Sequence, residues 1–385
     1  MHAYDLSPGT DPMLTSSMPP SASRLARIAQ ARQLAMREAA PSAGGLVEPW
    51  IAQSWQRCLA QGRRPDEHVS FDPVSAATMR QASEANRTLL QAARPVLKQL
   101  GGALAQTRYF AILTNHEGVV IDTDGPIDRS DRRAALITRV GVDLSEKAVG
   151  TTAIGAALRE LQPVWLHRGE HFFNETSVYS CAGAPLFGPD GRCVGMLDLT
   201  GVEASERPEL RHLATHAARR IETALLLQRP YRLLLRVNWP GMPLGDDADG
   251  LLALDGDGQV IAANRAARQL LPLLSPPGSD LHARDLFATP WESLYDAAHQ
   301  SPAGLEVPLW SGLRLQVRAE RVGQPPAGST QRPAAGATST VPLRDVETSL
   351  IRKAVEEARG NVAQAARNLG ISRATVYRKL ASKRD

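Results

Sequence analysis

Apolar residues in the first hundred positions recur at intervals of three and four, which is the period of an α-helix. This spacing predicts helices over residues 23–39, 47–60 and 77–106. In the second segment the apolar side of the helix is formed by Trp50, Ile51, Trp55 and Cys58. Residues 1–22, by contrast, are rich in Ser, Pro and Met, and this composition predicts disorder.

In the middle of the chain, apolar and polar residues alternate with a period of two. Turn residues interrupt this alternation. Residues 108–125 (RYFAILTN, HEG, VVIDTDG) predict strand, turn and strand. Residues 180–201 (SCAGAPLFGPDGRCVGMLDLTG) repeat this form, with a Pro-Asp-Gly turn at 189–191. Helical spacing before and after this hairpin predicts flanking helices over 149–160 and 208–228.

Two apolar patterns predict how these elements pack. In the last strand, smaller or polar residues separate the large apolar residues Val194, Met196 and Leu199. This alternation predicts an antiparallel sheet with one buried face. The helix over 208–228 carries an apolar stripe of Leu210, Leu213, Ala217, Ile221 and Leu225. This stripe is wide enough to pair with a copy of itself, so we expect a homodimer.

A second, smaller α/β pattern follows. Residues 250–271 predict a strand, a Gly-Asp-Gly turn, a strand and a helix, and residues 304–310 and 311–322 predict two late strands. Residues 322–341 are rich in Pro, Gly, Ala, Ser and Thr and contain one charge. This composition predicts a semi-flexible tether rather than a packed segment.

Three helices are predicted after the tether. The first carries an apolar stripe formed by Leu343, Val346, Leu350, Ile351, Ala354, Val355 and Ala358. Asn361 is expected to cap the second helix, with Gln364 reaching back to the cap. Gly370 makes the following turn and Ser372 caps the third helix. The last two helices form a helix-turn-helix pattern of the kind that enters DNA.

The charge of this last segment supports the same interpretation. Residues 361–385 contain six basic side chains and one acid, and this surplus exceeds the net charge of +4 of the whole chain. The alternative is an ordinary basic helical hairpin that packs on a protein partner. Concentration of the basic surplus in one capped helical unit favours contact with double-stranded DNA.

The third helix divides into two kinds of predicted DNA contact. Val376 and Leu380 are four residues apart and face inward. The outward side chains, predicted to reach base edges, are Ala374, Thr375 and Arg378. The side chains predicted to contact phosphates are Arg373, Tyr377, Lys379, Lys383 and Arg384.

Composition and cysteine content argue against a membrane protein, a secreted protein and a disulfide-rich or metal-binding protein. A chain of 385 residues with 43% apolar and 22% charged residues predicts two or three domains with proper cores. We find no run of about 18 apolar residues that would predict a membrane span and no signal-peptide pattern at the start, so we expect a cytoplasmic protein without membrane contact. Cys58, Cys181 and Cys193 suggest neither a disulfide scaffold nor paired metal ligands, and we expect no cofactor.

Residues 343–380, above all ARNLGISRATVYRKL at 366–380, resemble the Fis-type helix-turn-helix that ends bacterial enhancer-binding regulators. The resemblance implies DNA binding and a first helix that contributes to a dimer. Residues 47–228 resemble the GAF sensor of the acetoin-catabolism regulators. The matching segments are IAQSWQRCLAQGRRPD, VGTTAIGAAL, HRGEHFF and CAGAPLFGPDGRCVGMLDLTG.

The GAF resemblance implies a cup on a central sheet that binds a small carbonyl or hydroxyl metabolite. The residues predicted to form this effector site are Phe172, Phe173, Tyr179, Asp122, Asp198 and Cys181. The alternative is that the aromatic residues are simply core. His167 and His171 are a weak candidate for a metal pair because no third ligand accompanies them. Cys181 and Cys193 are expected to be buried apolar residues, with a redox pair across the hairpin as the alternative.

Residues 250–271 also resemble the opening of a PAS domain, with Asn264 and Ala266 in its N-x-A pattern. The region is short for that family, so we expect a degenerate PAS domain that binds no ligand and serves in dimerisation. Regulators of the acetoin type usually carry an ATPase with a phosphate loop that ends in Gly-Lys. This sequence contains no Gly-Lys dipeptide and no segment that would contact the nitrogen-type sigma factor.

The predicted fold class is α+β and multidomain, with two antiparallel sheets, flanking helices and an all-α C-terminal helix-turn-helix. The predicted domains are a disordered or helical segment (1–46), a GAF-like sensor (47–228), a degenerate PAS-like domain (245–321), a linker (322–341) and the DNA-binding unit (342–385). The predicted function is a sequence-specific, metabolite-sensing transcriptional regulator without ATPase activity. The alternatives are a cysteine redox enzyme similar to methionine sulfoxide reductases and an architectural protein that binds DNA without sequence preference.

Overall fold

The fold was analysed in a computed structural model. It describes residues 20–38, 45–71, 74–275, 277–278, 280–300 and 304–321, together with positions 355, 361, 362 and 364. Residues 1–19 of the predicted disordered start and the whole tether fall outside the described residues. So do all of the predicted DNA contacts, which are Arg373, Ala374, Thr375, Tyr377, Arg378, Lys379, Lys383 and Arg384. Residues 20–22, also predicted to be disordered, are the first turn of a helix.

Helices and strands alternate along the described chain. The helices are α1 (Pro20–Glu38), α2 (Pro49–Ala60), α3 (Ala76–Ala85), α4 (Arg87–Leu104), α5 (Arg132–Ile137), α6 (Glu146–Val149), α7 (Ala153–Glu160), α8 (Leu210–Leu227), α9 (Arg265–Leu270), α10 (Ala283–Leu286) and α11 (Glu292–Gln300). The strands are β1 (Tyr109–Asn115), β2 (Val120–Asp124), β3 (Val164–His167), β4 (Tyr179–Phe187), β5 (Cys193–Val202), β6 (Leu233–Asn238), β7 (Gly250–Leu254), β8 (Val260–Ala263), β9 (Leu305–Pro308) and β10 (Arg314–Arg321).

The first sheet has the strand order β2-β1-β5-β4-β3, and all neighbours are antiparallel. Both predicted hairpins are confirmed as β1–β2 and β4–β5. In the second hairpin the Gly188 N–H donates to the carbonyl of Arg192 at 2.8 Å, and Gly191 has φ +85°. Glycine is favoured at 191 because a side chain rarely adopts that left-handed conformation.

The prediction that this sheet has one buried face is wrong. Met196 packs in an apolar cluster on one face, whereas Leu197 and Leu199 pack in a separate cluster on the other face. Helices α4 and α8 contribute to the second cluster, so they cover the face that was expected to meet solvent. The small residues that alternate with large ones in β5 are therefore closely packed, and they do not mark a face exposed to solvent.

The expected role of α8 also changes. Leu210, Ala217, Ile221 and Leu225 are at most 6% exposed because they pack with α4 and β4 of the same chain. The apolar stripe is therefore already occupied within the chain. A dimer would need another surface.

Two helix boundaries differ from the sequence prediction for identifiable reasons. The segment predicted as one helix over 77–106 divides at Asn86, whose side-chain amide donates to the carbonyl of Ala82 at 2.8 Å. The segment predicted over 149–160 is interrupted at Gly150, which has φ +70°. Helix α7 then begins after Thr152, whose hydroxyl oxygen accepts from the Gly155 N–H at 3.1 Å.

The second sheet has the order β8-β7-β6-β10-β9 and is also antiparallel. The predicted strands and the helix after them are confirmed as β7, β8, α9, β9 and β10. Strand β6 was not predicted, and it lies at the centre of the sheet, before residue 245. Residues 228–232 (QRPYR) separate it from α8, and Pro230 in this segment is a helix-breaking signal that could have marked the start of a new element.

Asn264 and Asn361 serve as helix caps. The Asn264 side chain accepts from the Ala267 N–H at 2.8 Å and also joins β7, where it accepts from Leu251 and donates to the carbonyl of Asp249. The Asn361 side chain accepts from the Gln364 N–H at 3.1 Å, which confirms that predicted cap. Within the described part of the chain, every helix is too short or too polar to cross a lipid bilayer.

Candidate functional site

A small cavity lies against the β4–β5 side of the first sheet. Its volume is about 30 Å³, which exceeds the roughly 10–15 Å³ that one water molecule requires on this measure. The apolar part of its wall includes Ile112, Ile137, Leu144, Val149 and Ile154. The polar or soft part of its wall is Thr152, His171, Thr176, Tyr179, Cys181, Asp198 and Thr200.

Asp198 is the most unusual group in this wall. Its side chain is 1% exposed, and its Oδ2 atom accepts a hydrogen bond from the Thr200 hydroxyl. Its Oδ1 atom has no hydrogen-bond partner among the described residues. Burial raises the pKa of Asp198 to about 7, although the hydrogen bond from Thr200 acts in the opposite direction.

His171 and Cys181 form a second polar contact in the wall. The carbonyl of Arg168 accepts from Nδ1 of His171 at 3.0 Å, so Nδ1 carries the proton and Nε2 is the acceptor. Nε2 lies 3.5 Å from Sγ of Cys181. Burial lowers the pKa of His171 to about 4 and raises the pKa of the Cys181 thiol, so both groups are neutral at pH 7.

The structure brings three of the six predicted effector residues together. Tyr179, Cys181 and Asp198 line the cavity. Phe172 and Phe173 do not line it; they are wholly buried and contact each other edge to face, with 4.9 Å between ring centroids. They pack in the core, which corresponds to the alternative left open by the sequence.

Asp122 is placed elsewhere in the sheet. It lies on edge strand β2, and its carboxylate is 3.7 Å from Nε of Arg94. It therefore does not line the cavity. Sequence reasoning missed Thr200 and gave His171 a different role. Thr200 could have been found because it lies two residues after Asp198 on one strand, where side chains share a face.

The two histidines considered as a metal pair have separate partners. Nδ1 of His167 is 2.9 Å from the Ser180 hydroxyl, whereas His171 contacts Arg168 and Cys181. Among the described residues we find no group of three or more side chains arranged to hold a metal ion.

The suggestion that Cys181 and Cys193 approach each other across their hairpin is wrong. In the register of β4 and β5, Cys181 pairs with Thr200 and Cys193 pairs with Phe187. Cys193 and Thr200 are seven residues apart on one strand, which corresponds to about 23 Å. Both cysteines are free, and burial raises the pKa of both thiols.

The N-terminal helices hold the segment that carries His171. Arg32 of α1 donates to the carbonyls of Gly169, His171 and Phe172 at 2.5–3.0 Å. Trp55 of α2 is wholly buried and donates from Nε1 to the carbonyl of Glu170 at 2.9 Å. Because backbone carbonyls are fixed in this way, the position of the His171 ring depends on both helices.

The opposite end of the β4–β5 hairpin contacts the second sheet region. The carbonyl of Pro189 accepts from the Ala263 N–H at 3.0 Å and from Nη2 of Arg268 at 2.9 Å. The Arg265 guanidinium lies 4.9 Å from the ring centroid of Phe187. Tyr179, Cys181, Asp198 and Thr200 of the cavity wall and these contacts therefore belong to one hairpin.

Two family models match the sequence. The model described as "MimR, N-terminal domain" matches residues 29–223, which is more than half of the chain. The model described as "Bacterial regulatory protein, Fis family" matches residues 342–382. The first range covers most of the sensor segment identified by resemblance, and the second covers the helix-turn-helix segment.

Curated relatives show the same pattern. The acetoin catabolism regulatory protein of Cupriavidus necator is 30% identical over 64% of this chain and 37% of its own length. The propane 2-monooxygenase operon transcriptional activator MimR of Mycolicibacterium goodii is 30% identical over 73% of this chain and 47% of its own length. The chain thus spans less than half the length of these relatives.

A solved structure, the E. coli DhaR(N)–DhaL complex, has a chain that aligns over its full length with 71% of this chain, at 17% identity and a TM-score of 0.44. The family assignment depends on the sequence matches. The resemblance to acetoin-type regulators is confirmed, and the chain belongs to the family of proteins that share the MimR N-terminal domain, with a Fis-family segment near its C-terminus.

Proposed function

We propose that this chain is a bacterial transcriptional regulator that binds DNA through residues 342–382 and a small effector in the cavity beside Asp198. The observation that carries the proposal is the Fis-family match over residues that also contain the basic surplus of the chain. Named relatives that activate catabolic operons support it. Binding to DNA would place the protein in the bacterial cytoplasm.

The test of this function is selection of binding sites from random duplex DNA by the full chain. A regulator should enrich one sequence with two half-sites, spaced by about one helical turn if the protein acts as a homodimer. Specific affinity should exceed affinity for random DNA by at least about a thousandfold. Equal affinity for all sequences would instead favour an architectural protein, and the absence of binding would overturn the proposal.

Arg378 and Lys383 are expected to respond differently when each is replaced with alanine. Arg378→Ala should weaken the selected site by about 1–3 kcal/mol and relax preference at one base pair, because guanidinium groups read guanine edges. Lys383→Ala should weaken all duplexes alike and reduce the salt slope by about one, since a phosphate contact carries no sequence information. Gel-shift titrations at several salt concentrations measure both effects. A uniform loss for both variants would contradict the assignment of Arg378 to a base.

The β4–β5 hairpin is proposed to carry the effector signal. Cys181, Asp198 and Thr200 line the cavity, and the hairpin turn is held by Arg268 beyond it. A ligand that moves these strands would therefore change the contacts at the turn. Signals between sites in one protein typically amount to about 1–3 kcal/mol of coupling free energy.

Arg268→Ala should reduce this coupling without removing effector binding. We expect the effector dissociation constant to change by less than about threefold. The coupling free energy, which is measured as the effector-dependent change in DNA affinity, should fall by at least half. The matched control is Arg314→Ala, because Arg314 is 62% exposed and pairs only at the surface with Glu306. Paired calorimetry and gel-shift measurements check this. Unchanged coupling in Arg268→Ala would exclude the hairpin as the route.

We include in the proposal that this chain hydrolyses no ATP and is not an enzyme. The sequence as given contains no Gly-Lys phosphate-loop signature, and phosphate release from ATP by the purified chain would overturn this part. A cysteine redox activity is disfavoured because burial raises the pKa of Cys181, and a neutral thiol is a poor nucleophile. Turnover of a sulfoxide that Cys181→Ser abolishes would restore that alternative.

A further inference from the structure

We infer that a cleft between α8, β4 and α9 binds an acidic α-amino acid, whose ammonium group pairs with Glu222 and whose two carboxylates pair with Arg219 and Arg265. This cleft is separate from the cavity beside Asp198. The inference goes beyond the proposed function because it gives the chain a second ligand site, at the place where the first sheet region meets the second.

The cleft has the size of a site for a small molecule. Its volume is about 260 Å³. Pockets for drug-sized ligands occupy roughly 300–1,000 Å³, so this cleft suits a smaller compound. The wall combines small apolar residues, such as Ala184, Ala218 and Ala266, with charged residues. The charged groups therefore decide which molecule the cleft selects.

Glu222 is the buried acid of this wall. It is 5% exposed, and its Oε1 atom accepts from the Phe187 N–H at 2.9 Å. Its second carboxylate oxygen has no hydrogen bond among the described residues, and no described cation forms an ion pair with it. The amide oxygen of a glutamine would accept from Phe187 equally well, so this bond does not explain why the residue is an acid.

The ionisation of Glu222 depends on what enters the cleft. Burial raises the pKa of Glu222 to about 7, although the Phe187 N–H acts in the opposite direction. The positive charges of Arg265 and Arg219 also act to lower this pKa. A ligand that brings an ammonium group to the second oxygen would stabilise the ionised carboxylate and form charge-assisted hydrogen bonds with it.

Two arginines of the wall have charges that no acid neutralises. Arg219 lies three residues before Glu222 on α8, so the two side chains are neighbours on one helix face. Arg265 is the first residue of α9, and its guanidinium lies 4.9 Å from the ring centroid of Phe187. Within the described ranges, neither guanidinium forms an ion pair or a hydrogen bond. Both can therefore receive an anionic group of a ligand.

The uncommitted charges of the wall specify the class of ligand. Asp247, the other acid of the wall, lies 3.3 Å from Nε2 of His216 and 4.0 Å from Nε of Arg220. One carboxylate and two guanidinium groups then remain among the lining residues that the structure describes. A molecule with one ammonium group and two carboxylates complements all three. A simple amine would be repelled by the two arginines, and a simple dicarboxylate would leave Glu222 without a partner.

The test measures binding of L-glutamate and L-aspartate to the purified full chain by calorimetry and thermal shift. Two analogues each lack one charge of L-glutamate. Pentanedioate has no ammonium group, and L-glutamine has one carboxylate instead of two. L-Glutamate should bind at least about tenfold more tightly than either analogue, because each analogue loses a hydrogen-bonded charge pair.

Glu222→Gln separates ligand binding from structure, because the amide oxygen can still accept from the Phe187 N–H. This variant should bind L-glutamate at least about tenfold more weakly and should no longer prefer it to pentanedioate. Arg219→Ala should weaken L-glutamate several-fold. The matched control is Arg211→Ala, because Arg211 lies on the same helix outside the cleft, 3.9 Å from Glu48, and its replacement should leave binding unchanged.

Three results overturn the inference. They are the failure of both amino acids to raise the melting temperature, binding of pentanedioate or L-glutamine as tightly as L-glutamate, and full affinity for L-glutamate in Glu222→Gln. If that variant does not fold, the comparison of analogues on the natural sequence still decides the matter. DNA selection with the full chain tests the proposed regulatory function separately, so either proposal can fail while the other stands.

Discussion

Replacing Asp198 with asparagine should raise the free energy of unfolding of the unliganded chain at pH 8 by roughly 1–4 kcal/mol. The reason is that the natural carboxylate is wholly buried and has one oxygen without a partner among the described residues. A neutral amide of nearly the same shape avoids most of the cost of burying a charge. Denaturant unfolding of both proteins measures the difference.

The pH dependence of this gain has a definite sign. Burial raises the pKa of Asp198 to about 7 in the folded chain, whereas an aspartate in an unfolded chain titrates near about 3.9. Its contribution to stability is therefore complete below about pH 3.9 and is lost as the pH rises through about 7. The amide introduced by Asp198→Asn does not titrate, so the advantage of the variant should grow between these values and level off above them.

Other groups should not obscure this difference. Burial lowers the pKa of both His167 and His171 to about 4, which gives a slope of opposite sign, but both histidines are present in each protein. The control is Asp122→Asn, since Asp122 is about a third exposed and its replacement should change stability by less than about 0.5 kcal/mol. A difference curve for Asp198→Asn that is flat from pH 4 to pH 8 would show that Asp198 titrates normally.

Such a gain would also explain why an unfavourable residue is present. Functional sites often retain groups that lower stability, and their replacement then stabilises the fold while it removes function. Asp198→Asn should do both, because Asp198 lines the cavity that is proposed to bind the effector. Stabilisation without loss of effector binding would separate the two roles.

Local patterns in the sequence were sufficient for most elements of the two sheets. The Pro-Asp-Gly turn at 189–191 predicted the β4–β5 hairpin, and the N-x-A pattern at Asn264 predicted the start of α9. Each of these signals comes from hydrogen bonds within a few residues of the chain. Such bonds form in the same way wherever the segment packs.

Features that depend on distant packing could not be predicted in this way. The apolar stripe of α8 was correctly placed on one helix face, but the sequence does not say whether that face meets another chain or α4. Phe172 and Phe173 have the side chains of a pocket wall, yet they pack away from the cavity. The separation of Cys181 from Cys193, by contrast, follows from the strand register that the turn at 189–191 fixes, so the sequence already contained this information.

The sequence predicted which strands contribute to the candidate site, but it did not predict the hydrogen bonds that position the side chains there. Cys181 and Asp198 were both expected at the effector site from the GAF resemblance, and they do line one cavity. The role of His171 depends on a segment held by Arg32 and Trp55, which are more than a hundred residues earlier in the sequence. Contacts of this range leave no periodic signal near the residues they position.

A chain that ends at Pro342 should lose at least about a thousandfold in affinity for the selected DNA site. The last 25 residues hold a surplus of five positive charges, so the rest of the chain has a net charge of −1. Because DNA affinity depends mainly on neutralising phosphates, the shortened chain has little general attraction to a duplex. Gel-shift titration at fixed salt, with the full chain alongside, measures the loss.

The shortened chain also separates loss of folding from loss of DNA contact. The cavity wall lies between Phe71 and Thr200, so the same shortened chain should keep the increase in melting temperature that a bound effector gives the full chain. Preserved effector binding with lost DNA binding would assign the two activities to different parts of the chain. DNA affinity equal to that of the full chain would mean that the basic helical segment is not the DNA-binding element, and the proposed function would then need a different contact surface.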